Sequence, residues 1–110
     1  MSWISITDKN TINTIKEAGN YSIIYKHSPR CSTSLMAFRR LRMEVGSAAP
    51  ELPLYIVDVI SNRSESQAIE QSFGITHESP QILLIKDGEC IYNASHEDVS
   101  LEVPLSLAVN

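Results

Sequence analysis

Cysteine is scarce in this sequence. Its 110 residues include two, Cys31 and Cys90, too few for a disulfide framework or a four-ligand zinc site. A basic excess is also missing: 9 Lys and Arg stand against 13 Asp and Glu, a formal net charge of −4. That balance argues against nucleic acid or an anionic membrane as the main partner. No apolar run approaches the roughly 20 residues of a membrane-spanning helix. Met1-Ser2-Trp3-Ile4 joins no basic patch to an apolar stretch, so no secretory signal is read there. Glycine and proline are sparse, and no linker, repeat or low-complexity tract divides the chain. What is present is 43% hydrophobic and 20% charged residues, the balance of a globular protein. The length suffices for one domain over residues 1–110 with a single core. Such cysteine usage fits a reducing cytoplasm, and a monomer is expected.

The apolar pattern predicts elements in the order β-α-β-α-β-α-β-β-α. Trp3 to Ile6 is a short strand, and Thr7 or Asp8 caps a helix carrying Ile12, Ile15 and Ala18, ended by Gly19-Asn20. Residues 21–27 form a second strand. A long helix then runs to about Val45 and closes at Gly46, followed by the loop Ser47 to Pro50. Pro53 to Ile60 is nearly continuous in apolar residues, as in a central parallel strand covered on both faces. Asp58 either ends it or is a satisfied buried polar group. Ser61 caps the next helix, which carries Ala68, Ile69 and Phe73 and stops at Gly74. Gln81–Ile85 and Cys90–Ala94 are strands joined by an Asp87-Gly88 hairpin turn. Asp98 to Val109 reads as a final amphipathic helix, which Pro104 kinks or restarts. Alternation with helices implies parallel strands, and the hairpin makes the last pair antiparallel. The expected fold is α/β: a mixed five-stranded sheet with helices on both faces.

The organising stretch is His27-Ser28-Pro29-Arg30-Cys31-Ser32-Thr33-Ser34. It lies between the strand and the long helix, whose Leu35, Phe38, Leu41 or Arg42, and Val45 recur at helical spacing. Cys31 therefore sits where free N–H groups and the positive end of the helix dipole favour a thiolate. Arg30 adds a neighbouring positive charge. Ser34 stands where a dithiol enzyme carries its second cysteine, so the motif is a monothiol one. A cysteine at such a junction is also readable as a small buried hydrophobe.

These residues resemble a thioredoxin-like fold, and more closely the YtxJ-type monothiol bacilliredoxins. The segments that carry the resemblance are Lys26 to Ser34, Gly74-Ile75-Thr76-His77-Glu78-Ser79-Pro80-Gln81, and Asn93-Ala94-Ser95-His96. The resemblance implies a thiol–disulfide oxidoreductase in which Cys31 attacks a protein–bacillithiol mixed disulfide and carries the bacillithiol away. A second thiol then releases it from outside. The implied partners are S-thiolated client proteins and the low-molecular-weight thiol as co-substrate, with no bound cofactor and no metal. Ser34 would donate to the Cys31 thiolate. Pro80 would be cis and face Cys31, with the Ser79 backbone free to pair with an extended substrate. Arg30, Ser32, Thr33, Glu78 and His96 would line the substrate site. Two other readings are an adaptor that has lost catalysis, and a monothiol carrier for another thiol or an iron–sulfur cluster.

Tyr25 stands six residues before Cys31, where thioredoxins keep a buried acid that serves their second cysteine; with Ser34 in place no base is needed. His27 either tunes Cys31 or is half-buried at a strand end. His77 and Glu78 precede the proline loop and are expected to line the substrate groove, and Arg39, Arg40 and Arg42 form a solvated helix face with a role in partner choice. Cys90 should lie past the hairpin turn, roughly 20 Å from the active end, out of disulfide range of Cys31. The returning strand should regain the level of Pro80 near Ala94, placing Asn93, Ser95 and His96 on the rim.

Overall fold

In the computed structural model, which describes residues 3–48 and 50–108, the order of elements is as expected. β1 (Ile4–Ser5), α1 (Lys9–Glu17), β2 (Ser22–His27), α2 (Ser32–Ala48) and β3 (Leu54–Asp58) come first. α3 (Arg63–Phe73), β4 (Gln81–Lys86), β5 (Glu89–Ser95), a 3₁₀ turn (His96–Asp98) and α4 (Glu102–Leu107) follow. The five strands form one sheet in the order β1-β3-β2-β4-β5. β1, β3 and β2 are parallel, while β4 runs antiparallel to β2 and β5 antiparallel to β4.

The continuous apolar strands follow from helices on both faces. Ile24, Leu83 and Ile85 point to one side and pack with Ile12 and Ile15 of α1 and Ile69 of α3. Ile23, Tyr25, Ile82 and Leu84 point to the other and pack with Ala37 and Leu41 of α2. Asp8 caps α1 by accepting from the Thr11 N–H at 3.0 Å. Gly74 ends α3 in the left-handed conformation, φ 68°, which glycine adopts without a steric cost. The hairpin turn needs positive φ at both central residues, and Asp87 and Gly88 have φ 53° and 77°.

Several boundaries differ from the expectation. α2 runs through Gly46 to Ala48; an exposed glycine costs a helix only about 1 kcal/mol and does not stop it. Ser61 is not the cap of α3. Asp58, at the end of β3, accepts from the Ile60 and Ser61 N–H groups at 2.9 and 3.0 Å, and Asn62 occupies the capping position without a side-chain bond. The last helix starts at Glu102 rather than Asp98. Glu44 of α2 holds Ser100 Oγ at 2.7 Å and the Leu101 N–H at 3.0 Å, which fixes an extended segment first. Pro104 then falls in the first turn of α4, where its missing N–H is not needed. Val109, the expected helix end, lies outside the described residues, as do Ala49 of the loop and Met1 and Ser2. The buried face of α2 also differs: Ser34, Ala37 and Leu41 are inside, while Leu35 is 50% exposed.

Candidate active site

Cys31 is the cap of α2. Its N–H bonds Ser28 O at 3.1 Å, closing the turn after β2, and its carbonyl accepts the first helical bond, from the Leu35 N–H at 3.0 Å. The first N–H groups of the helix have no helical partner and turn toward the sulfur. The Ser34 N–H is the largest influence lowering the Cys31 pKa, working against partial burial; the Thr33 N–H and the Ser34 and Thr33 hydroxyls add to it. The sequence credited Arg30 as well, but its exposed side chain is not among the groups that lower this thiol. Ser34 is fully buried, and its Oγ has no protein partner in the resting arrangement. A buried hydroxyl without an acceptor is costly, and a thiolate at Cys31 supplies one.

Tyr25 anchors the start of the helix from beneath. It is fully buried, and its phenol donates to the Ser34 carbonyl at 2.8 Å. Burial raises its pKa, which keeps the proton on. Since that proton is committed, the contact with His27 Nδ1 at 3.2 Å has the imidazole donating. His27 thus braces Tyr25, and burial lowers its pKa with Asp58 opposing. Trp3, Tyr25, His27 and Phe38 pack as one aromatic group, with the Tyr25 and Phe38 rings stacked at 5.6 Å.

The loop before β4 reaches the same end of the sheet. Gln81 pairs with Lys26, one residue before the end of β2, so Ser79 and Pro80 lie at the edge from which the Cys31 turn departs. The Ser79–Pro80 bond is cis, as expected. Pro80 is buried and Ser79 half-buried, and Pro80 O accepts from the His96 N–H at 2.9 Å. His96 Nε2 meets the Glu78 carboxylate, so these two candidates form a pair. Ser32 is exposed and Thr33 half-buried in the first turn of α2.

Asn93 does not reach this rim. It faces Leu83, and Gln81 faces Ser95. A register shift between Leu84 and Ile85 sets Tyr92 and Cys90 opposite them, so β5 regains the level of Pro80 at His96 rather than Ala94. Cys90 pairs with Ile85, five residues from Pro80, about 17 Å along the sheet. It is half-buried against the cluster beneath α1 and α3, the face opposite α2. Burial raises its pKa, and its Sγ lies 3.2 Å from Tyr92 O. Both cysteines are free thiols.

Sequence reasoning missed Lys26. Its side chain is fully buried, donating to Ser66 O at 3.3 Å and meeting His77 Nδ1 at 3.1 Å. Beside it, the buried Gln81 amide donates to Thr76 O at 3.1 Å and accepts from the Glu78 N–H at 3.4 Å. Two adjacent strand residues thereby pin the loop that carries Ser79 and Pro80. The signal was the strand itself: a lysine between Tyr25 and His27, in a strand covered on both faces, must point inward.

Burial pulls the Lys26 pKa from 10.5 down to about 8, with Glu70 pushing it up. Between those values the unfolded chain holds a proton that the folded chain has released, so stability rises with pH across the window. Lys26→Met should remove this rise. Urea midpoints of both proteins, under reductant, at pH 7.5 and 10 check it; identical pH trends would refute the assignment.

A family model described as monothiol bacilliredoxin BrxC matches residues 4–103 of the chain. Among solved structures, one described as an oxidoreductase candidate with a thioredoxin fold superposes with a TM-score of 0.81 at 25% identity, covering 96% of this chain and 91% of that one. Thioredoxin from Malassezia sympodialis superposes with a TM-score of 0.77 at 18% identity, with coverages of 97% and 90%. Mitochondrial thioredoxin 3 of Saccharomyces cerevisiae gives 0.74 at 17%, with 94% and 93% covered. The sheet order and helix placement described above are those of the thioredoxin fold.

Proposed function

The chain belongs to the monothiol bacilliredoxin family, and we propose that it removes bacillithiol from S-thiolated proteins in the cytoplasm, through Cys31. The observation that carries this reading is the sulfur at the cap of α2, beside the unpartnered hydroxyl of Ser34.

The Cys31 thiolate attacks the bacillithiol sulfur of the client's mixed disulfide. A disulfide forms between Cys31 and bacillithiol, the client S–S bond breaks, and the client leaves as a thiolate that takes a proton from solvent. A second thiolate, from another bacillithiol or a reductase, attacks the adduct and restores the Cys31 thiolate. No electrons are gained or lost in the first step; the disulfide is exchanged. In this reading the Ser34 hydroxyl and the N–H groups of Thr33 and Ser34 stabilise the departing Cys31 thiolate in the second step. The Ser79 backbone pairs with the client chain, while Arg30, Ser32, Glu78 and His96 line the space around the transferred thiol.

The test uses one client protein carrying either bacillithiol or glutathione on a single cysteine. Whole-protein mass spectrometry should show the bacillithiol mass moving to Cys31, with the glutathione form reacting more slowly. Transfer of glutathione alone would assign the protein to another thiol. No transfer of either, with a Cys31 that alkylates no faster than an ordinary thiol, would make it an adaptor.

A further inference from the structure

One face of α2 is left uncovered. Leu35, Met36 and Met43 are 50%, 68% and 71% exposed. Two shallow grooves of ≈ 460 and ≈ 450 Å³ run side by side along it. Met36, Arg40, Ser47 and the Glu44 carboxylate line the first, Leu35, Phe38 and Arg42 the second, and Arg39 and Met43 both. The face begins one helical turn from Cys31.

Its charge is distinctive for an acidic chain. From Ser32 to Met43 the helix holds Arg39, Arg40 and Arg42 and no Asp or Glu. Arg40 is committed to Val99 O at 3.0 and 2.8 Å. Among the described residues neither Arg39 nor Arg42 has a carboxylate partner. Glu44, next on the helix, is held by Ser100 and Leu101. Methionines give such a surface adaptable apolar contact, and the arginines select anionic groups around it.

We infer that this face docks an acidic, apolar segment of the client chain beside its thiolated cysteine, with apolar side chains in the grooves and carboxylates on Arg39 and Arg42. The inference rests on the transfer reaction proposed above and names the chemistry of its protein substrate. A second copy of this chain fits less well, because a two-fold contact would set the same arginines against each other. The reach is short: Cys31 to Met43 spans about 18 Å of helix, or some five to six extended residues.

Two peptides test it, each with one S-thiolated cysteine flanked on both sides by six residues, Leu and Glu alternating in one and Ser and Lys in the other. The Leu/Glu peptide should have a KM about tenfold lower, a gap of about 1.4 kcal/mol, which narrows in about 0.5 M salt. Arg39→Glu/Arg42→Glu should abolish the preference, and Met36→Ser/Met43→Ser should weaken it at all salt concentrations. Both variants should reduce a small mixed disulfide as fast as the parent. Equal KM values for the two peptides in the parent protein would overturn the docking site. Fluorescence anisotropy with the Leu/Glu peptide, its cysteine replaced by Ala, reads docking without chemistry. Binding that Arg39→Glu/Arg42→Glu abolishes, in a protein with no transfer activity, would retain the site and overturn the reaction. A dimer in sedimentation velocity that the variants dissociate would assign the face to self-association and overturn the proposal.

Discussion

Cys31→Ala protein is expected to exchange mixed disulfides at the uncatalysed rate. The attacking species is a thiolate, and the chain has one other sulfur nucleophile, Cys90. That thiol cannot stand in. It is half-buried beneath the opposite face of the sheet, and burial raises its pKa. Cys90→Ala should accordingly keep full activity. The measurement is transfer of bacillithiol from a labelled client, followed by mass, for the parent and both variants. Turnover retained in Cys31→Ala, or lost in Cys90→Ala, would move the nucleophile elsewhere. Iodoacetamide labelling of the parent should rise with pH through a midpoint below that of an ordinary thiol, since the helix N–H groups favour the charged form.

Ser34→Cys is expected to change the outcome of the reaction rather than its rate alone. Cys31 caps α2 and Ser34 lies in its first turn, and a disulfide needs Cα atoms within about 7 Å. The Ser34 side chain already influences the Cys31 sulfur, and Tyr25 holds that turn through the Ser34 carbonyl. The variant should therefore expel the small thiol by closing an internal disulfide. After treatment with a bacillithiol disulfide, the parent should retain the adduct mass, while the variant should show only the loss of two hydrogens. A stable adduct on the variant would mean that position 34 does not face the sulfur. Ser34→Ala, which removes a single donor, should slow transfer only several-fold.

The architecture was legible because its signals are local. Continuous apolar strands, the Asp87-Gly88 turn and the Gly74 stop each act within a few residues. The position of Cys31 between β2 and α2 was legible for the same reason. The inner face of α2 was not. Leu35 and Phe38 suggested one stripe, but the helix turns Ser34 and Ala37 inward, where small side chains permit close packing on Tyr25 and its neighbours. Lys26 was passed over because burial of a charged residue depends on partners distant in sequence, here Ser66 and His77. The rim was misjudged by Asn93 because no glycine or proline marks the shift in β5.

That shift also bears on how the molecule behaves in a crowd. β5 is an outer strand of the sheet, and the outward-facing N–H and C=O groups of a regular edge would invite another chain to add a sixth strand. Ile91, 48% exposed, falls between the paired Cys90 and Tyr92, and an irregularity of this kind bends the strand and interrupts its ladder. The shift thus leaves this edge poorly matched to a sixth strand, and the same extra residue brings His96 level with Pro80.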